Sequence, residues 1–284
     1  LASLANRIPL VANHHGEGPP VGLLHGSARF GYNAFYRNVA LGRVERLVFF
    51  THSYPQSLEF SPRVMKKVRT IPPAVDHSLF YPRKDTASLR RELGLETEDK
   101  VVLFVSGLSF RDKRRHGDYL MEAAALARRH VPDIRLIIIG EGELLPVLRA
   151  QAEALELTSR VLFCGKVINP QLSEYYAACD LFAFPSTYES FGYAVLEAMS
   201  SGKPAIVCDV PGVKDLVEQD KTGLRIPPGD VPALADTMVK LLSDDSTRIA
   251  MGREARIRVE SRTWEHVALD TAAMYGEVLE ARAR

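Results

Sequence analysis

Seven residues separate Glu189 from Glu197 in the stretch Pro185-Ser186-Thr187-Tyr188-Glu189-Ser190-Phe191-Gly192-Tyr193-Ala194-Val195-Leu196-Glu197-Ala198-Met199. Leu181 to Phe184 is an apolar run stopped by Pro185, suited to a buried strand. Phe191 to Ser200 has helical composition and is ended by Gly202 and Pro204. Glu189 therefore falls in a strand-to-helix loop, and Ser190 is placed to cap the helix. The amides and positive dipole end of such a helix suit a phosphate, and Gly192 leaves room for one. Glu197 sits further in, among Phe191, Ala194, Val195, Leu196, Ala198 and Met199. A carboxylate there is costly unless hydrogen-bonded, and a pair of sugar hydroxyls is one donor set it accepts from. The other reading makes Glu197 the partner of a neighbouring amide or Arg, and Glu189 a surface acid. The residues alone leave both readings open.

The elements that must position these carboxylates alternate regularly. Strands are expected at Val101 to Val105, Arg135 to Ile139, Val161 to Cys164, Leu181 to Phe184 and Ala205 to Cys208. Helices are expected at Tyr119 to Arg129, Leu144 to Leu155, Leu172 to Ala178, Phe191 to Ser200, Pro232 to Leu242 and Ser246 to Glu260, with a short one at Val213 to Val217. Strand–helix alternation with short loops predicts an α/β fold, a parallel sheet with helices on both faces. Ligands of such sheets bind beyond the carboxyl ends of the strands. That singles out Gly107, Gly140-Glu141-Gly142, Gly165-Lys166, Pro185 to Glu189 and Asp209 to Gly212. The Gly140-Glu141-Gly142 loop fails as a dinucleotide fingerprint: Leu145 stands at the third glycine, and the next strand ends Cys164-Gly165 with no acid.

Upstream, Ile71-Pro72-Pro73-Ala74-Val75-Asp76 and Phe80-Tyr81-Pro82 read as an interdomain linker. Residues 1–82 hold nine bases against four acids, net +5, which leaves the remainder at −4. Strands at Pro9 to Ala12 and Arg46 to Phe50 make this part resemble the tail of a domain rather than a whole one. The 284 residues are 46% hydrophobic and 25% charged, a globular balance that excludes disorder. A net charge of +1 gives no global reason to bind nucleic acid. No apolar run approaches the ~20 residues of a spanning helix. Cys164, Cys179 and Cys208 form no metal or disulfide pattern and suit burial in a reducing compartment.

Taken in order, these motifs resemble the retaining family 4 glycosyltransferases of GT-B type. The resemblance rests on the two glutamates separated by seven residues, the Ile71 to Pro82 linker and the Gly140-Glu141-Gly142 loop. It extends through Ala178-Cys179-Asp180, Glu197-Ala198-Met199, Gly202-Lys203-Pro204, Thr222-Gly223-Leu224 and Pro227-Pro228-Gly229-Asp230. It implies two Rossmann-like domains, the first truncated at its N-terminus and the second complete. On that pattern residues 1–82 are the C-terminal part of the acceptor-side domain plus linker. Residues 83–263 are the nucleotide-sugar domain, and 264–284, opening Thr263-Trp264-Glu265, are a helix crossing back to the first. On that pattern the opening strands of the first domain are expected to be absent and the chain to be a fragment.

The same resemblance implies site residues. Glu189 takes donor sugar hydroxyls, Glu197 the ribose hydroxyls, and Phe191 and Gly192 amides the sugar and diphosphate, beside Ser190 and Tyr193. The base lies near Lys166-Val167-Ile168, with Val167 at its centre, and Gly107 and Gly140 line the donor cleft. Members place an Arg after the glycine of the first donor-domain strand and a Lys a few residues on, both on the diphosphate. Lys113 fits the second. Leu108 stands at the first, a departure that weakens phosphate binding unless Arg111, Arg114 or Arg115 substitutes. His15, rather than His14, fits a His at the end of the first strand, beside the donor sugar.

The implied activity is transfer of a sugar from a nucleotide-diphosphate donor to an acceptor hydroxyl with retention, in glycan, glycolipid or cell-envelope polysaccharide synthesis. It needs neither metal nor cofactor, and no Asp-x-Asp pair is present. A glycan or lipid-linked acceptor, a cytoplasmic location and peripheral contact with an anionic membrane through the +5 segment complete the expectation. Alternatives are a non-catalytic sugar-nucleotide binding module and a phosphorylase or epimerase on the same architecture.

Overall fold

Apolar runs that lack alternation become the central strands, because only a strand covered on both faces can bury every side chain. The computed structural model describes residues 8–15, 41–58, 60–83, 85–110 and 115–283. It divides into two compact units, residues 1–74 with 264–284 and residues 75–263.

The first unit holds a parallel sheet of β1 (Val11–Asn13), β2 (Arg46–Phe49) and β3 (Val68–Thr70) in that order. Short helices α1 (Ser53–Gln56) and α2 (Pro62–Met65) follow β2. The unit's last helix is Trp264–Ala283. Met274 of this helix packs with Val48 and Ile71, and Val11 and Val267 flank them. Glu277 accepts from Arg69 at 3.4 Å and lies 3.5 Å from Arg46, so exposed ion pairs frame that small core. The helix therefore groups with residues that precede it by some two hundred positions.

The second unit begins with α3 (Ala87–Glu92), then alternates β4 (Lys100–Val105), α4 (Gly117–Ala127), β5 (Ile134–Ile139), α5 (Leu145–Ala154), β6 (Val161–Gly165), α6 (Gln171–Ala178), β7 (Leu181–Phe184), α7 (Tyr193–Ser200), β8 (Ala205–Cys208) and β9 (Gly223–Ile226). Helices α8 (Val231–Leu242) and α9 (Asp245–Glu260) close it, and the Trp264–Ala283 helix is hereafter α10. The six strands are all parallel, in the order β6-β5-β4-β7-β8-β9. The chain thus winds outward from β4 to β6, then returns to β4's other side as β7. That reversal opens a crevice at the carboxyl ends of β4 and β7.

Asp180 fixes the two strands at the switch. Its carboxylate accepts from the Val101 amide at 2.8 Å and from Arg248 at 3.3 Å, while its own amide donates to the Val101 carbonyl. Asp230 and Asp244 accept from the Ala233 and Thr247 amides, capping α8 and α9 one residue earlier than composition indicated. Strands β3 and β9 were not read from sequence; both are short, and their residues are bounded by turns rather than by an apolar run.

The segment read as a linker divides at Ala74/Val75, and its later part packs with the second unit. His77 bonds Ser200 Oγ through Nδ1 at 2.8 Å and the Arg262 carbonyl through Nε2 at 3.0 Å. Arg256 donates to the Phe80 carbonyl and to Ser200 O and Oγ at 2.9–3.0 Å. These bonds hold the C-terminal end of α7, the helix that carries Glu197.

Candidate functional site

The crevice at the switch point brings together residues that lie far apart in the chain. Arg115, just before α4, donates to Ser106 Oγ at 3.3 Å, at the end of β4. Its Nε stands 3.6 Å from Glu189 Oε2, in the loop after β7. The guanidinium also lies over the ring of Phe184, 6.0 Å from its centroid. Its neighbour His116 adopts φ +53°, which turns the chain sharply into α4. His116 Nε2 bonds Thr187 Oγ1 at 2.9 Å, and Nδ1 faces Asp118 Oδ1 at 3.4 Å. Burial and its bonds with His116 act on Asp118 in opposite senses, and its carboxyl ends below the ordinary value. Two adjacent residues of one loop thus hold two residues of the other.

Glu189 is the shielded partner of that pair, its side chain 14% exposed, and its Oε1 accepts from the Ser190 amide at 3.1 Å. Ser190 does not cap the helix. Helix α7 starts at Tyr193, and Gly192 at φ +101° is the cap, itself without a side chain to accept from the first turn. The left-handed turn at Gly192 ends the extended loop two residues later than composition indicated. A Cβ on Gly192 would stand 3.0 Å from Val213. Phe191 is buried and Tyr193 exposed, their rings edge to face at 5.1 Å. Gly212, after β8, lies directly beneath Glu189, where a Cβ would meet the Glu189 carbonyl at 2.1 Å. The backbone of the glutamate loop thus rests on a glycine.

Glu197 is half-buried, and burial pushes its carboxyl up to about 7. Its partner is neither an amide nor an Arg but the phenol of Tyr176, which donates to Oε2 at 2.8 Å. Sequence reading missed this tyrosine. The signal was available: a tyrosine on a helix rich in buried positions needs a partner for its hydroxyl.

Gly140 and Gly142 serve loop-on-loop packing. A Cβ on Gly140 would meet Ser106 O at 1.9 Å, and one on Gly142 would meet Leu108 backbone at 2.4 Å. The Glu141 carbonyl accepts from the Leu108 amide, and the Leu108 carbonyl from that of Leu144. Leu108 is 3% exposed beneath this loop, so its side chain belongs to the packing of the β4 end. Gly107 lines a small cavity of about 50 Å³ with Ser106, Gly117 and Asp118. Val167 is half-buried between exposed Lys166 and Ile168, and Lys166 pairs with Glu141 at 3.6 Å. Lys113, Arg111 and Arg114 lie outside the described residues. Arg115 is therefore the cation of that run with a defined place, and it is the last arginine before α4, which begins two residues earlier than composition indicated.

In the first unit, His14 is the buried member of its pair, stacked on Phe49 at 4.8 Å. His15 is exposed at the end of β1, edge-on to Phe50 at 5.1 Å. A groove of about 540 Å³ also lies at the amino ends of the strands, lined by Arg83, Asp180, Lys203, Arg248 and Arg256 among others. Its Lys203 donates to Cys179 O, and Arg248 and Arg256 bond as described above. Their charges are committed to the fold, and the groove sits away from the switch point.

Residues 85–258 match the family model described as Glycosyl transferases group 1. D-inositol 3-phosphate glycosyltransferase of Corynebacterium glutamicum is 32% identical over 222 residues, 75% of this chain and 52% of that protein. N-acetyl-alpha-D-glucosaminyl L-malate synthase of Bacillus anthracis is 30% identical over 215 residues, 75% of this chain and 55% of that protein. The chain spans about half the length of the curated relatives it matches. Among solved structures, Anabaena HepE in complex with UDP and glucose superposes with a TM-score of 0.83 at 23% identity, covering 97% of this chain and 73% of that one. Sucrose-phosphate synthase of Thermosynechococcus elongatus gives 0.77 at 26% identity, covering 99% and 71%.

Proposed function

This chain belongs to the group 1 glycosyltransferases, with the GT-B fold, and from that premise we propose that it carries the donor half of a retaining transfer of sugar from a nucleoside diphosphate to an acceptor hydroxyl. The observation that carries the reading is the Arg115–Glu189 pair across the switch point, at the mouth of the helix opened by Gly192. Arg115 supplies positive charge where the family places a basic residue for the diphosphate, although Leu108 is packed away. Negative charge develops on the departing diphosphate as the glycosidic bond breaks. A fixed guanidinium and the positive end of α7 stabilise that charge without reorganising, which lowers the barrier. Glu189, already oriented by Arg115 and the Ser190 amide, accepts from hydroxyls of the donor sugar. Glu197 accepts from the ribose, and the segment around Val167 meets the base.

HepE was solved with UDP and glucose, which makes UDP-glucose the first donor to try. The curated relatives named above act on small polar acceptors, inositol 3-phosphate and malate, and a glycan or lipid-linked acceptor is the other class to screen. Among the described residues no helix is long and apolar enough to cross a membrane. The +5 excess of residues 1–82 supports peripheral contact with anionic lipid, testable by salt-sensitive liposome binding.

The deciding experiment follows a UDP-sugar by NMR with the full-length protein and an acceptor panel. Formation of a product with the donor's anomeric configuration supports the reading. Nucleotide binding without turnover, insensitive to Glu189→Gln, supports a binding module instead. Transfer that survives excess EDTA fits a diphosphate neutralised by Arg115 rather than by a metal ion.

A further inference from the structure

Tyr176 is fully buried, and its ring is held from two sides. Phe80 meets it edge to face at 5.6 Å, and Phe182 of β7 meets it at the same distance at a tilt. A ring packed in this way fixes its hydroxyl in space, and that hydroxyl donates to Glu197 Oε2 at 2.8 Å. The contact joins α6 to α7, so the position of the carboxylate is set from a neighbouring helix rather than by its own rotamer. Phe80 adds a further constraint, because its carbonyl accepts from Ser200 Oγ at 2.6 Å, one helical turn beyond Glu197.

We propose that Tyr176 is the positioning residue for nucleotide recognition: by occupying Oε2 it holds the Glu197 carboxylate at a fixed angle, with Oε1 left to accept from the ribose. This rests on Glu197 being the ribose acceptor. The chemistry favours a donor that cannot itself compete for the ligand. A phenol against a carboxylate only donates, so the pair keeps Glu197 in its accepting form. Burial opposes that form and the phenol supports it. Without the hydroxyl, a carboxyl at this depth takes up a proton more readily, becomes a donor and is free to rotate. The other ionisable groups against α7 and Tyr176 are Arg256 and His77, which meet at Ser200, and Cys179, a neutral thiol that burial pushes up to about 12.

Tyr176→Phe removes one oxygen and keeps the packed ring. Affinity of the full chain for UDP and for 2′,3′-dideoxy-UDP, measured by calorimetry from pH 6 to 9, reads its effect. The expected result is about a tenfold loss for UDP near pH 7, recovering toward high pH, with dideoxy-UDP unchanged. Equal losses for both ligands, or a loss constant with pH, would mean a structural role and overturn the proposal. Glu197→Gln separates this from failure of the underlying reading. If that variant discriminates UDP from dideoxy-UDP as well as the parent does, the ribose assignment itself is wrong. If it loses discrimination while Tyr176→Phe keeps it, only the role of Tyr176 falls. Should Tyr176→Phe not fold, the ¹³Cζ shift of Tyr176 in the unmodified protein provides the test. It moves on UDP addition if the proposal holds, and a shift indifferent to UDP overturns it.

Discussion

The Arg115 guanidinium stands 3.6 Å from the Glu189 carboxylate, joining the loops that leave β4 and β7. Each group enters the crevice from one side of the point where strand order reverses, the place where open parallel sheets bind their ligands. On the proposed function, a diphosphate arriving here would draw Arg115 by charge and leave Glu189 to the sugar. Arg115→Ala therefore removes one charge-assisted contact, typically about 1.5–3 kcal/mol, or roughly 10- to 100-fold in affinity. Calorimetry with UDP and with uridine checks it: UDP binding falls by that factor and uridine binding stays. Equal losses for both would place Arg115 in the scaffold instead.

Glu189→Gln keeps the shape and one acceptor oxygen but removes the charge. Nucleotide binding is expected to stay within threefold, since the diphosphate and ribose contacts proposed above lie elsewhere. Turnover with a UDP-sugar is expected to drop about 100-fold, the scale of losing one preorganised electrostatic contact at a reacting centre. Steady-state kinetics separates the two, and a change confined to KM would contradict the assignment.

Two glycines make a paired stability test. Gly212 lies under the glutamate loop, and a Cβ there would meet the Glu189 carbonyl at 2.1 Å, at φ +95°. Gly212→Ala cannot be absorbed by a side-chain shift, so it moves Glu189 and costs several kcal/mol, with a loss of transfer activity. Gly276 is inside α10, and a Cβ there meets nothing within 4 Å. Gly276→Ala is expected to stabilise by up to about 1 kcal/mol, because alanine is the better helix former. Urea unfolding monitored by circular dichroism gives opposite signs for the two. Destabilisation by both would contradict the open surroundings of Gly276.

The central sheet was legible because burial on both faces writes itself as unbroken apolar runs, as in Val101 to Val105 and Leu181 to Phe184. Glu189 and Glu197 were legible because a charged residue beside or within such a run demands a partner. What eluded the sequence was the identity of the partners. Tyr176 lies twenty-one positions from Glu197, and nothing local links them; only the packing of α6 on α7 does. Arg115 was obscured by its neighbours in a run of five charged residues, because choosing among them needs the start of α4. That start depends on His116 adopting a left-handed conformation, which composition does not announce. The close packing of the Gly140-Glu141-Gly142 loop was not legible either: a Cβ on its glycines would meet the backbone of Ser106 and Leu108.

Glu197 also ties stability to pH, and the sign is definite. Burial raises its carboxyl from 4.5 to about 7 in the folded protein. Below pH 4.5 both folded and unfolded chains carry the proton, and the group costs nothing. As pH rises from 4.5 to 7 the unfolded chain ionises first, so stability is progressively lost; above 7 both are ionised and the loss is constant. The shift corresponds to a cost on the order of 3 kcal/mol at neutral pH. Glutamine does not ionise, and its amide oxygen still accepts from Tyr176. Glu197→Gln should match the parent's stability near pH 4, gain on it through pH 7, and hold that gain at pH 8.5, as urea unfolding at those values would show. If Glu197 is the ribose acceptor proposed above, the same variant should bind UDP more weakly, since the ribose would lose its anionic acceptor. A gain that shrinks with rising pH would mean the carboxylate is stabilised in the fold, and that a cation rather than the neutral Tyr176 phenol holds it.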